Sequence, residues 1–301
     1  MNRLIALLFF LLQMIGITAG HAAEATPSDV YAQAVRIEQE VEILRRHFEV
    51  TGKARFEAKT GDLKPRHTWA QSYVILLKLG KLRRKVGLSY IDPVGVEPTL
   101  DMPPTRSWSM TQRILNEIHI IKFYLDIPGQ APAAVPVSGK RTIDVFNKLH
   151  QISGELELLT DPATPGEVYS EAKRLNEDVD AVLRHLRIFE KAMPPLRREN
   201  LQAKDSLRAV FEVLGETQRI QRLYGMETTD FKGFDTGEKA VPDDVFGMVI
   251  LALAEWQRVK AQIGMTHHIT VPASYEENKA PADVVQLLGY IADKLRNLKP
   301  K

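Results

Sequence analysis

The sequence of 301 residues contains no cysteine. Without a thiol the chain can form no disulfide, no cysteine-ligated zinc or iron–sulfur site, no thioether-linked haem and no thiolate nucleophile. A hydrophobic core must therefore hold the fold together. With 44% hydrophobic residues over this length, the chain is large enough to bury one.

The sequence also lacks an excess of charge of either sign. Its 40 Lys and Arg nearly balance its 38 Asp and Glu, the formal net charge is +2, and the two signs are interspersed. The most basic short run, Leu82 to Lys85, covers one helical turn. Binding to nucleic acid or to an anionic membrane surface needs a concentrated positive surface, so we expect neither partner.

Motifs of the common catalytic classes are missing too. The chain has no Gly-x-Ser-x-Gly, no His-Glu-x-x-His and no phosphate-binding glycine loop. Helical dimetal sites use Glu-x-x-His, and the histidines nearest to Glu117 and Glu155 stand at other spacings. We therefore expect a protein that is not an enzyme and has no catalytic residue, no metal site and no cofactor.

Long apolar runs are absent except near the start of the chain. Arg3 precedes an apolar stretch from Leu4 to Thr18, and small residues that include Ala22 and Ala23 follow it. Because about 15 apolar residues are fewer than the roughly 20 that span a bilayer, this pattern favours a secretory signal peptide over an anchor. We expect residues 1–23 to be a signal peptide cleaved near Ala23. The mature chain would then be periplasmic or secreted, without membrane insertion.

A repeated pattern fills the rest of the chain. Thr-Pro-Ser-Asp-Val-Tyr begins at Thr26, and Thr-Pro-Gly-Glu-Val-Tyr begins 138 residues later at Thr164. Each is followed by apolar residues at alternating spacings of four and three, the pattern of an amphipathic helix. Eight such series occur, with these first members: Val30, Thr68, Ser107, Val145, Val168, Ser206, Val245 and Val284.

The series predict eight helices in two sets of four. Successive first members lie 38 or 39 residues apart, except for one central step of 23. A regular period of this size is typical of repeat architectures. The sequence thus predicts an all-α fold, a tandem duplication of a four-helix up-and-down unit with long loops rich in Pro and Gly. The repeat units would cover residues 24–162 and 163–301, with the fourth and fifth helices antiparallel because few residues connect them.

Residues just before each series predict where the helices begin. A proline stands three residues before most first members. Proline is favoured in the first turn of a helix, because N–H groups there have no partner within the helix and the lack of one costs nothing. Thr26 with Asp29, and Thr164 with Glu167, have the spacing of capping boxes. The loops carry Tyr90, Phe231, Phe234 and Tyr275, which we expect to pack over the bundle ends.

Aromatic residues after the first members are the candidate ligand-binding residues: Tyr31, Trp69, Trp108, Tyr169 and Phe246. A small ligand between helices would be lined by such side chains.

The sequence leaves two functions open. The first is a non-enzymatic binding or scaffold module for an envelope protein, since repeats build surface. The alternative is a periplasmic receptor or sensor-like protein for a small molecule.

Acidic residues recur ten positions after six of the first members: Glu40, Glu117, Glu155, Asp178, Glu216 and Glu255. They could converge on a cation, or each could flank the core and pair with a nearby Lys or Arg. The second interpretation is favoured, because no histidine stands at the spacing that a helical metal site uses.

Overall fold

The computed structural model describes residues 25–91, 95–189 and 191–299. The predicted signal peptide, residues 1–23, lies outside these residues. Eight α-helices follow one another: α1 Pro27–His47, α2 Pro65–Lys85, α3 Pro104–Tyr124, α4 Thr142–Glu157, α5 Pro165–His185, α6 Ala203–Leu223, α7 Pro242–Gln262 and α8 Pro281–Arg296. The described residues otherwise form loops, two short 3₁₀ turns and one isolated β-bridge, so the all-α prediction is confirmed.

The helices begin where the sequence predicts. The side-chain oxygen of Thr26 accepts a hydrogen bond from the backbone N–H of Asp29, and the Asp29 carboxylate accepts one from the Thr26 N–H at 2.7 Å. Thr164 and Glu167 form the same pair of bonds at the start of α5. Both capping boxes are therefore present, and each satisfies N–H groups that the first turn leaves without partners.

The six longest helices end in one common way. Each is followed by a residue in the left-handed region: Glu49, Gly87, Asp126, Arg187, Gly225 and Gly264. The N–H of the next residue then bonds to a carbonyl five residues back, as Val50 N does to Arg45 O at 2.9 Å. This Schellman arrangement uses carbonyls that the helix end leaves unpaired, and it turns the chain away from the helix axis.

The apolar series form the core. All eight first members, from Val30 to Val284, are buried, and so are most later members of each series. The buried apolar residues of both halves belong to one continuous cluster. The predicted burial pattern is therefore confirmed.

Within each half the helices form a square with the same neighbours. In the first half α1 and α2 each contact α3 and α4, and in the second half α5 and α6 each contact α7 and α8. Consecutive helices α1 and α2 are thus diagonal partners, as are α5 and α6. The matching arrangement agrees with two equivalent units, although their origin by duplication stays a prediction.

Neighbouring helices within a half run in the same direction. Near the starts of α2 and α3, the hydroxyls of Thr68 and Ser107 lie 2.7 Å apart. Towards the ends of the same helices, Arg83 donates to Glu117 at 2.7 Å. Contacts between residues at similar heights also join the other neighbouring helices, for example Lys148 of α4 with Glu38 of α1 and Lys260 of α7 with Asp178 of α5. The predicted up-and-down order is therefore wrong.

Loop length explains this arrangement. A helix of 21 residues is about 32 Å long, and a parallel neighbour requires the chain to return over that whole distance. Loops 48–64, 86–103 and 125–141 can do so, since an extended chain spans about 3.3 Å per residue. Loop length alone permits parallel or antiparallel neighbours, and the interhelical contacts show that the neighbours are parallel.

The two halves pack against each other through α2 and α7, in opposite directions. His67, at the start of α2, lies against Glu255 late in α7, whereas Lys78 lies 3.1 Å from Asp243 at the start of α7. Since helices within a half are parallel, α4 and α5 are antiparallel, as the short link 158–164 predicts. No described helix is both long enough and apolar enough to cross a membrane.

Candidate functional site

A pocket of about 300 Å³ lies at the junction of the two halves. Its walls come from α2, from the link at Ala163, from the start of α5, from the start of α7 and from residues 272–275 of the loop after α7. Ligand sites occur preferentially at such junctions, and this volume is at the lower end of their usual range. The pocket is therefore the candidate functional site.

The two helices that meet at this junction are buried on nearly all sides. Beside its repeat series, α2 buries Val74 and Leu76, and α7 buries Ile250 and Leu253. A helix that is apolar all round belongs in the middle of a protein. This second set of apolar residues was a sequence signal for the central position of α2 and α7.

Tyr90 forms one side of the rim. The loop after α2 brings its ring against Gly80, where a Cβ atom would lie only 2.6 Å from Tyr90 Cε2. The guanidinium of Arg84 lies over the same ring, 4.7 Å from its centroid. Gly80 thus permits the close approach of the loop, and Tyr90 and Arg84 stand together at the mouth.

Tyr275 belongs to the rim segment 272–275. This segment and the adjoining Glu276 lie on the start of α5, where a Cβ atom at Gly166 would come within 2.1 Å of the Glu276 carbonyl oxygen. Ser170 holds the segment by donating to Ser274 O and accepting from Glu276 N, each at 3.1 Å. Only glycine at position 166 allows this contact without a shift of the segment.

The two rim loops are also joined to each other. Val96 and Thr270 form an antiparallel bridge with two backbone hydrogen bonds of 2.9 Å. Gly95 lies so close to Ile269 that a Cβ atom there would be 2.5 Å from its Cγ2. The loop of one half is therefore tied to the loop of the other beside the pocket.

Lysines in the pocket wall are engaged by carboxylates. Lys81 Nζ lies 3.1 Å from Glu167, and Lys78 bridges Asp243 of the second half and Glu157 of the first. Burial raises the pKa of Glu157, the attraction of Lys78 opposes that rise, and the nearby Asp243 carboxylate adds to it. Lys78 thereby holds two acids of different halves together.

A buried carboxylate forms the inner end. Glu171 accepts a 2.6 Å hydrogen bond from Arg174, which also donates to the Tyr73 hydroxyl at 2.8 Å and to Val271 O at 2.9 Å. Burial raises the pKa of Glu171 in spite of the neighbouring guanidinium. The pocket thus has an acidic inner end that Arg174 links to α2 and to the loop after α7.

A second buried cluster at the junction has a structural role. Glu255 accepts from Arg66 Nε and from Gln221 Nε2, each at 2.6 Å, and lies 2.6 Å from His67 Nε2. His67 Nδ1 accepts from Lys64 N, so its Nε2 carries the hydrogen that Glu255 accepts. Burial lowers the pKa of His67, which stays neutral in this arrangement. The Glu255 carboxylate is thus fully engaged by side chains of α2, α6 and α7, which is typical of a structural cluster.

The six recurring acids do not converge on a cation. Each forms an ion pair with at least one Lys or Arg: Glu40 with Lys122, Glu117 with Arg83, Glu155 with Arg45, Asp178 with Lys260, Glu216 with Arg219, and Glu255 with Arg66. The interpretation as core-flanking ion pairs is confirmed. Among the described residues, no group of three or more His, Asp or Glu is arranged to hold a metal ion.

The five predicted ligand-binding aromatics do not form one site. Tyr31, Trp69 and Trp108 lie at the helix starts of the first half, and Tyr169 and Phe246 lie at those of the second. Because the halves are antiparallel, these groups stand at opposite ends of the molecule. Of the five, Phe246 lines the junction pocket.

The other predicted aromatics have structural contacts. Lys140 lies 4.4 Å from the ring centroid of Tyr31, and Lys279 lies equally far from that of Tyr169. Trp69 stacks on Tyr73 at 5.5 Å. Trp108 is 37% exposed, outside the pocket wall.

Sequence reasoning missed the rim residues. Phe231 and Phe234 are buried against His67 and Phe146 at helix starts, in agreement with the predicted packing over bundle ends. Tyr90 and Tyr275 are instead about half exposed at the pocket mouth. A possible signal was the pair of glycines on which their loops lie. Gly80 interrupts the apolar middle of α2, and Gly166 replaces the serine found at position 28.

Comparison with known protein families, with characterised proteins and with solved structures gives no match to this chain. Fold and pocket together define an all-α protein made of two parallel four-helix bundles, packed antiparallel, with a pocket at their junction.

Proposed function

We propose that this chain is an exported, non-enzymatic binding protein that holds a small molecule between its two halves. The observation that carries this proposal is the junction pocket, which has apolar walls, tyrosines at the rim and a few convergent charged groups. Such a combination is typical of small-molecule sites. Of the two functions considered from the sequence, the geometry thus favours the small-molecule receptor.

Export is part of the proposal and is supported by the sequence alone. The basic start, the apolar stretch from Leu4 to Thr18 and the small residues up to Ala23 fit a cleaved signal peptide. N-terminal sequencing of the protein recovered from its native cell tests this part. A mature chain that starts near residue 24 would support export, and a chain that keeps Met1 would contradict it.

The pocket can be blocked by one side chain. Ala273 lines the pocket, and Ala134 occupies the corresponding place in the loop of the first half, away from it. We expect native mass spectrometry of the purified full-length protein to show a bound small molecule. The Ala273→Trp variant should lose this molecule and the Ala134→Trp variant should keep it. Retention by both variants, or a protein free of small molecules that binds none of a metabolite library, would overturn the proposal.

Exposed apolar side chains favour docking of an envelope protein as a second candidate function. Phe123 on α3 is 87% exposed, and Phe189 and Leu196 in the loop after α5 are each 92% exposed. Cross-linking in intact cells, compared between the natural chain and Phe123→Ser, tests this function. Loss of one specific cross-linked partner in the variant would support it, and an unchanged set would refute a role for Phe123.

A further inference from the structure

The arginine at the mouth of the pocket has different partners from the two lysines in the pocket wall. Lys81 and Lys78 form ion pairs with Glu167 and Asp243, whereas Arg84 lies over the ring of Tyr90. Within the described part of the chain, no carboxylate pairs with Arg84. Its guanidinium is thus the positive group of the pocket that an incoming anion can engage.

Arg84 is also well placed to select the geometry of that anion. The planar guanidinium presents paired N–H donors that match the two oxygens of a carboxylate. Its position over the Tyr90 ring, which itself lies against Gly80, restricts the orientations that the side chain adopts. A ligand carboxylate at the rim would therefore meet a preoriented fork.

The inner end offers no free positive group to a second anion, because Arg174 and Lys78 are already engaged by carboxylates. Glu171 lies there with its charge directed to Arg174, and Asp243 borders the same space. Between this acidic end and the rim, the walls include Leu77, Phe246 and Pro272. A charge located among these apolar side chains would lose hydration without gaining a partner.

We infer that the pocket takes an organic monocarboxylate, whose carboxylate binds Arg84 at the rim and whose apolar body lies between Leu77, Phe246 and Pro272. This inference rests on the proposed function and assigns the ligand class of the same site. It excludes dicarboxylates, because their second charge would face Glu171 and Asp243. It also excludes neutral analogues as strong ligands, because they leave the charge of Arg84 unused.

Two matched series of probes test the inference with the full-length protein. Hexanoate, hexanamide and adipate share six carbons, and benzoate, benzamide and terephthalate share one ring. By isothermal titration calorimetry, we expect the monoanion of at least one series to bind at least about tenfold more tightly than its amide and its dianion. The Arg84→Gln variant should lose the preference for the monoanion over the amide. Arg222→Gln changes the corresponding arginine of α6, outside the pocket, and should retain that preference.

The outcomes separate this inference from the proposed function. Equal binding of amide and monoanion, or an Arg84→Gln variant with undiminished preference, would overturn the monocarboxylate inference and leave the pocket as a binding site. A copurified neutral molecule that Ala273→Trp displaces would do the same. Absence of binding by all six probes, in a protein that also carries no copurified molecule, would overturn both proposals.

Discussion

Glu117 and Glu255 occupy the same position in the third helix of their respective halves, yet their surroundings differ. Glu117 is partly exposed and pairs with Arg83 of the neighbouring helix. Glu255 is 1% exposed and is bound by Arg66 and His67 of the other half. The two third helices carry the same acid at the same position, and packing of the halves buries one of these acids as a link between them.

Elsewhere the halves remain alike. Glu40 in α1 binds Lys122, and Asp178 in α5 binds Lys260 at the corresponding position, with all four side chains almost fully buried. In each case the loop after the lysine-bearing helix adds a hydrogen bond to the acid. Ala131, after α3, donates its N–H to Glu40, and Thr270, after α7, donates its hydroxyl to Asp178. These ion pairs within one half thus have counterparts in the other half, whereas the Glu255 cluster at the junction does not.

The largest expected effect contrasts the two equivalent acids. Glu255→Gln should destabilise the fold by about 3–5 kcal/mol, because Arg66 and Arg258 lose the carboxylate that compensates their buried charges. Glu117→Gln should cost about 1 kcal/mol or less, as is usual for a partly exposed ion pair. Urea unfolding at neutral pH measures both. Equal losses would show that the junction gives Glu255 no special environment.

A smaller effect should appear only in acid. Burial, assisted by the charge of Lys59 and opposed by Asp244, lowers the pKa of His150 to about 4, so the folded protein keeps this residue neutral above that pH. The unfolded chain protonates it below about pH 6.5, and the folded state therefore loses stability as the pH falls from 6.5 towards 4. At about 1.4 kcal/mol per unit of pKa shift, the loss approaches about 3 kcal/mol.

The His150→Gln variant should be free of this contribution. Its unfolding free energy should fall less than that of the natural chain between pH 6.5 and pH 4. His47 is an exposed histidine of the first half, so His47→Gln should keep the full acid sensitivity. A His150→Gln variant with the same pH profile as the natural chain would contradict the low pKa.

The smallest effect concerns the third residue of the two opening motifs. Gly166→Ser introduces a Cβ atom 2.1 Å from the Glu276 carbonyl oxygen, so Glu276 and the adjoining segment 272–275 must move, at a cost of about 1–3 kcal/mol. Ser28→Gly loses the hydrogen bond from Lys140 N and should cost no more than about 1 kcal/mol. Urea unfolding compares the two, and a larger loss for Ser28→Gly would contradict the proposed role of Gly166.

Predictability from the sequence depended on the range of the interactions. Helix starts could be predicted because proline and the capping pairs, such as Thr26 with Asp29, act within one turn. Burial of Ile37 or Leu175 followed from periodicity. Helix direction could not be predicted, because loops such as 86–103 are long enough for either choice.

The candidate site was only partly predictable. Phe246 was expected to bind a ligand and does line the pocket. Tyr90, Tyr275 and Arg84 were not, because their place in one pocket depends on the packing of α2 against α7 and on the loop after α7, which lies on Gly166 of α5. A contact between residues far apart in sequence leaves no periodic trace in either segment.

The sequence by itself determined eight amphipathic helices, their caps and the residues that each buries. Local hydrogen bonding and apolar periodicity act within a few residues and do not require the rest of the chain. The tertiary structure alone decided that helices within a half are parallel, that α2 packs on α7 and that a pocket forms beside them. Those outcomes depend on which apolar faces meet across the chain, and that is settled only when all eight helices are packed together.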